Sequence, residues 1–212
     1  MRSAALSAGC VLLSALFAAP EGLLLAQSTP VNWQRLTQAG DFAGALRLMD
    51  AARAEVAKPY GVALKGQLPE RLSDLNASEF FDNSASIRIM LIQSYAKEGA
   101  EVRVDLSVPT VDIDQATFVR EPAIKHIKEI VAGADRPTTE QMEYLLLQGF
   151  AAQIRRDSIF AERPQMLIYL SNGAALTVHA MTDMRLADFK KLLGELPLGK
   201  INAAISGEAK GP

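Results

Sequence analysis

The sharpest chemistry the chain offers lies near its C-terminus, in Met166, His179 and Met181, with Met184 close behind. Two thioethers and a neutral imidazole are soft donors, a set that suits Cu(I). Methionine is also a flexible core filler, so packing without a metal is the plainer reading of the same residues. A harder donor set stands at Asp112 and Asp114, with Asp105 as a third. Clustered carboxylates can hold Ca2+ or Mg2+. This run lacks the glycine and distal glutamate of a helix-loop-helix calcium site, and a solvated approach to a turn explains it more simply. His126 falls on the polar side of a helical pattern. No serine, histidine and aspartate stand at a spacing that suggests a triad, and no glycine-rich phosphate loop occurs. The expectation is a protein that is not an enzyme and carries no cofactor.

The elements that must position Met166, His179 and Met181 form a hairpin. Leu167-x-Tyr169-Leu170-Ser171 and Ala174–Met181 flank Asn172-Gly173, a pair that tolerates the positive φ of a tight turn. A two-residue turn sets Ser171 opposite Ala174, Tyr169 opposite Leu176 and Leu167 opposite Val178. The other side then collects Met166, Ile168, Leu170, Ala175, Thr177, His179 and Met181, so both faces of the hairpin are mainly apolar. Layers, or a partner, must cover both. Asp183 is placed to cap a following helix whose stripe is Leu186, Phe189, Leu192, Leu193 and Leu196. Pro197 breaks it before a last turn at Leu198–Ile205.

Upstream, the run from Ser86 to Tyr95 is apolar on nearly both faces. Its partner Glu101–Val108 alternates cleanly, with Val102, Val104, Leu106 and Val108 inward. Lys97-Glu98-Gly99-Ala100 supplies their turn. Phe118, Ile124, Ile127, Ile130 and Val131 form a helix stripe with Pro122 in its first turn, and Tyr144–Ile154 reads as one covered strand with a bulge or a point of close approach at Gly149. Leu68–Leu75 reads as a turn or short helical piece. Two helices meet at Ala39-Gly40-Asp41 within Trp33–Ala57, and Pro59, Gly61 and Gly66 mark a connector.

At 212 residues, 49% hydrophobic, the chain can bury a full core. A net charge of -2 with no basic cluster argues against a nucleic-acid partner. Met1-Arg2 followed by apolar Ser3–Ala19 has the pattern of a secretory signal, shorter than the ~20 residues that span a bilayer. Cleavage after Ala26 is expected, with Ala18 or Ala19 as the rival site. The only cysteine, Cys10, lies within that segment, so a processed chain would hold no thiol. Ser7-Ala8-Gly9-Cys10 invites a lipoprotein reading, but few apolar residues precede Cys10 and the apolar stretch continues past it. Export to the periplasm is favoured over a lipidated or membrane-anchored form, with no membrane span after processing.

Gly40-Asp41-Phe42, Ala45-Leu46 and Ala51-Ala52 resemble the turn and second helix of one tetratricopeptide repeat. No second copy follows, which points to a helical hairpin rather than a solenoid. Leu68-Pro69-Glu70-x-Leu72, Val102-x-Val104-x-Leu106 and the Leu167–Gly173 hairpin with its leucine-rich helix resemble a loose group of uncharacterised exported proteobacterial proteins. That resemblance spans residues 67–205. It implies a small α+β domain whose two halves each contribute antiparallel strands and a helix, and it implies no reaction. The chain departs from the group where a basic-aromatic pair follows the hairpin turn, since Ala174-Ala175 stands there. The expected organisation is a signal (1–26), a helical hairpin and connector (27–66), an α+β domain (67–205) and a flexible tail (206–212). The domain holds an antiparallel sheet of about five or six strands packed by helices. The expected function is binding to an envelope protein partner, the alternative being a small-molecule or copper carrier with a pocket between sheet and helix.

Overall fold

The computed structural model describes residues 33–85, 87–110, 114–133, 142–156 and 163–207. The N-terminal segment expected to be an export signal, Asp112 and residues 208–212 lie outside these, as does the side chain of Asp114. The chain divides into two compact units, Met1–Met49 and Asp50–Pro212. In the first, helical residues 33–38 end at Ala39-Gly40, and Asp41 caps the next helix by accepting a hydrogen bond from the Gly44 N–H at 2.8 Å. That helix, α1, spans Phe42–Lys65. Pro59 and Gly61 therefore lie inside a helix rather than in a connector. An interior proline costs ~3 kcal/mol, which burial of Ala57, Leu64 and Leu68 on either side offsets.

The second unit is built on one antiparallel sheet of eight strands: β1 (Arg71–Leu72), β2 (Leu75–Asp82), β3 (Arg88–Lys97), β4 (Ala100–Pro109), β5 (Met142–Leu147), β6 (Phe150–Arg155), β7 (Gln165–Tyr169) and β8 (Ala175–Ala180). Their order is β1-β2-β3-β4-β8-β7-β6-β5. Two four-stranded meanders thus meet where the last strand of each pairs with the other. The expected count of five or six strands is corrected on two points. β2 has the sequence LNASEFFD with no period of two, and beyond it lies only the two-residue β1, so hydrophobic alternation reveals neither. The run Tyr144–Ile154 is two strands, because Gln148 (φ 51°) and Gly149 (φ 86°) form a tight turn where a bulge or close approach was expected.

Period-two alternation splits the sheet into two faces. Ile89, Leu91 and Tyr95 on β3, Val102, Val104, Leu106 and Val108 on β4, Leu176 and Val178 on β8, and Met166 and Ile168 on β7 are all almost fully buried on one face. They form one core with Phe189, Leu192 and Leu193 of α3 (Leu186–Leu193), Leu198, Ile201 and Ile205 of α4 (Leu198–Ser206), and Ala57 and Leu64 of α1. Pro197 stands at the N-terminal boundary of α4, where its missing donor costs little. Asp183 does not cap α3. The capping position is Arg185, without a side-chain bond, and Asp183 instead pairs with Arg163 at 2.8 Å.

The helix α2 (Asp114–Val131) covers part of the opposite face. It starts earlier than expected, so Pro122 lies in its interior rather than its first turn. Its contacts fall on β5 and β6. Ile127 and Ile130 are buried there, and the His126 ring meets the edge of Tyr144 with centroids 6.0 Å apart.

Candidate functional site

The three residues expected to share a sheet face do not converge. Met166 is fully buried in the core, opposite Ile154 on β6 and Val178 on β8. His179 stands on the other face, opposite Arg103 and Gln165, and Met181 follows the end of β8, about a third exposed. The cause is a one-residue difference in register. The Ala174 N–H donates to the Ser171 carbonyl, while the Leu170 N–H donates to the Ala174 carbonyl. Leu170 and Ser171 therefore both stand against Ala174, a bulge at the base of the turn. Tyr169 pairs with Ala175 and Ile168 with Leu176, and because side chains alternate, a shift of one exchanges faces.

Tertiary contacts hold that bulge in place. The side-chain carbonyl of Asn202 on α4 accepts from the Ser171 N–H at 2.8 Å, and Asn172 Nδ2 donates to the Ile205 carbonyl at 3.1 Å. Gly173 (φ 71°) is pressed by Pro109 and Arg120, whose atoms would lie 3.3 and 3.4 Å from any Cβ there. Arg120 reaches over from α2, donates to the Ala174 carbonyl and sits 5.5 Å from the Tyr169 ring centroid. Burial lowers the Arg120 pKa, against the opposing pull of Tyr169. Burial raises the Tyr169 phenol's pKa, which Arg120 opposes.

On the face that His179 occupies, the register aligns side chains in rows across β3, β4, β8 and β7. One row is Ser94, Arg103, His179 and Gln165, polar throughout; the next is Ile92, Asp105, Thr177 and Leu167, with Phe81 of β2 beyond Ile92. Arg103 and Asp105 are two apart on β4 and so point the same way. Arg103 Nη2 donates to Asp105 Oδ2 at 3.1 Å. A second approach, Nε to Oδ1, is 3.0 Å long but bent, so both atoms stay buried without a hydrogen-bond partner. His179 Nε2 lies 3.4 Å from Asp105 Oδ2. The group is half-buried, whereas Phe81 is more than half exposed.

A carboxylate beside an imidazole can hold it as a proton acceptor, and nucleophilic catalysis would add a nucleophile within hydrogen-bond reach of the imidazole. The cross-strand neighbours of His179 are Arg103 and Gln165, which cannot serve. Arginine is enriched at protein interfaces. The alternation of β4 alone marks Arg103 and Asp105 as outward-facing. Bringing His179 beside them requires the β4–β8 pairing and the bulge, which local patterning does not carry.

A concavity of about 430 Å3 lies on the core side, where the β1–β2 turn and the start of β4 approach α3. It is lined by Ser73, Asp74, Leu75, Asp188, Lys191 and Leu192, among others. Asp74 is held below the usual carboxylate range by its hydrogen bond from Lys97 at 2.7 Å. No helix among the described residues is long and apolar enough to cross a membrane. Comparison of the chain with known protein families, with curated proteins and with solved structures yields no match.

Proposed function

We propose that this is a non-catalytic binding or accessory protein, exported to the periplasm, which acts by contact with a protein partner in the cell envelope. The observation that supports it is the face bearing Arg103, Asp105 and His179 beside Ile92 and the exposed Phe81. Export rests on the N-terminal sequence pattern, in keeping with the resemblance to exported proteins. Affinity capture from envelope extracts, comparing the wild-type chain with a Phe81→Asp, Arg103→Glu double variant, tests the reading. A partner recovered by the wild type and lost by the variant supports it; recovery of the protein alone overturns it.

The cleft between the β1–β2 turn and α3 favours a second reading, a carrier for a small polar ligand. Its volume is within the range of ligand sites, and Asp188 and Lys191 offer both charge signs. Lys191→Glu would then weaken ligand retention without touching partner capture. For the copper version, Met166 and His179 are separated by the thickness of the sheet, so Cu(I) titration of the Met166→Leu variant is its direct test: unchanged uptake removes Met166 as a ligand.

A further inference from the structure

The two ends of the sheet are protected very differently. At one end β1 is only two residues long and β2 is interrupted by a bulge between Ala77 and Phe80, with Glu79 and Asp82 along it. Short strands, bulges and charges are the devices that stop a sheet edge from pairing with another chain. At the other end stands β5, Met142–Leu147, of sequence MEYLLL. Among the described residues it pairs with β6 alone, in unbroken register from Met142↔Arg155 to Leu147↔Phe150. It has no proline, bulge or basic residue, and Leu146 is 42% exposed.

Turn geometry fixes which backbone groups of β5 face outward. A two-residue turn with both φ positive closes on a hydrogen-bonded pair, here Leu147 and Phe150. Bonds to β6 then recur at every second residue, at Leu147, Leu145 and Glu143. Met142, Tyr144 and Leu146 therefore aim their N–H and C=O groups away from the sheet. Only another extended strand matches that alternation of donors and acceptors.

We infer that β5 pairs antiparallel with β5 of a second copy, joining two eight-stranded sheets into one across a two-fold axis. The sole charge on the strand, Glu143, is already neutralised by Lys190 of the same chain at 2.6 Å. A dyad in an antiparallel pair sets one residue opposite itself. Centred on Leu145, it places Tyr144 opposite Leu146 and Glu143 opposite Leu147; centred on Tyr144, it places Glu143 opposite Leu145. Neither register stacks two carboxylates. Because the β1–β2 end is protected, association closes at two copies and does not grow into a fibre. This inference stands apart from the partner-binding reading, which concerns the face around Arg103.

The test is the mass of the purified full chain by sedimentation and light scattering across a concentration series. A dimer is expected. Leu146→Pro removes an outward N–H and no bond to β6, and the dyad doubles the loss, so the dimer Kd should rise roughly thirtyfold or more. Leu146→Lys places a charge on the edge and should act likewise, which keeps the test intact should the proline variant misfold by far-UV circular dichroism. Phe81→Lys, at the opposite end of the sheet, should leave the dimer unchanged. A monomeric wild type, or a dimer that folded Leu146→Lys fails to weaken, overturns the inference. So does a monomer that takes up an extended foreign peptide along β5.

Discussion

Tyr95 permits a prediction in which stability and pH act against each other. Its side chain is fully buried on β3, between Ala77 of β2 and Val102 of β4, and its hydroxyl donates to the Pro69 carbonyl at 2.9 Å. Burial pushes its phenol pKa well above the ordinary 10.0. Tyr95→Phe keeps the ring and removes one hydrogen bond, which costs about 1 kcal/mol at neutral pH. In the wild type the folded pKa exceeds the unfolded one, so the hydroxyl's contribution is complete below about pH 10 and declines as pH rises. Once the unfolded phenol ionises, wild-type stability falls by about 1.36 kcal/mol per pH unit. The variant lacks this component, while Tyr60 and Tyr169, whose pKa values are also raised, act equally in both proteins. The initial advantage of the wild type should therefore vanish by about pH 11 and reverse beyond it. Urea unfolding of both proteins from neutral pH upward measures the crossing. Stability curves that stay parallel through pH 11 would show that the Tyr95 hydroxyl ionises as freely when folded as when unfolded, and would refute its burial.

Other consequences are open to direct measurement. Phe189→Ala empties a fully buried position of the core and should cost about 3–5 kcal/mol in denaturant unfolding; a cost under ~1 kcal/mol would mean that α3 does not pack on the sheet. At the β5–β6 turn, Gly149→Ala forces a methyl into φ 86° and should destabilise by about 1 kcal/mol, whereas Gly199→Ala, inside α4 with open space around the added methyl, should not. Equal effects from the two would contradict the turn geometry. Lys97→Ala should return the Asp74 carboxyl toward its ordinary titration range, as followed by NMR; an unmoved titration would show that the ion pair does not form in solution.

How much of the structure was legible depended on whether each signal is local. The alternation of Val102, Val104, Leu106 and Val108 is a property of one strand, and those four side chains are buried as expected. The stripe Phe189, Leu192, Leu193 and Leu196 is likewise local, and it is buried. β2 escaped because a strand with few apolar positions and a bulge has no periodicity to read. Gln148-Gly149 escaped because an apolar run hides a turn when glutamine takes a positive φ. The misplacement of His179 relative to Met166 had a single cause. Asn172-Gly173 identified the turn but not the extra residue at its base, which the bonds to Asn202 and Ile205 hold from 31 and 33 residues away. The Arg103, Asp105 and His179 group depends on that bulge and on a pairing between distant strands, so no local pattern carried it.

The pairing of β4 with β8 also bears on the order in which the chain can fold. Val102 meets Ala180 and Leu106 meets Leu176 across a long separation in sequence, so the middle of the sheet is a non-local contact with a slow closure. β1 to β4 are complete by Pro109, yet β4 lacks its second neighbour until β8 exists. A chain emerging N-terminus first thus presents the outer edge of the valine-rich β4 unpaired during the synthesis of everything from α2 through β7. Chains interrupted before Ala175 should be caught in that state, prone to aggregate, and the last strand of the sheet sets the moment at which the fold becomes safe.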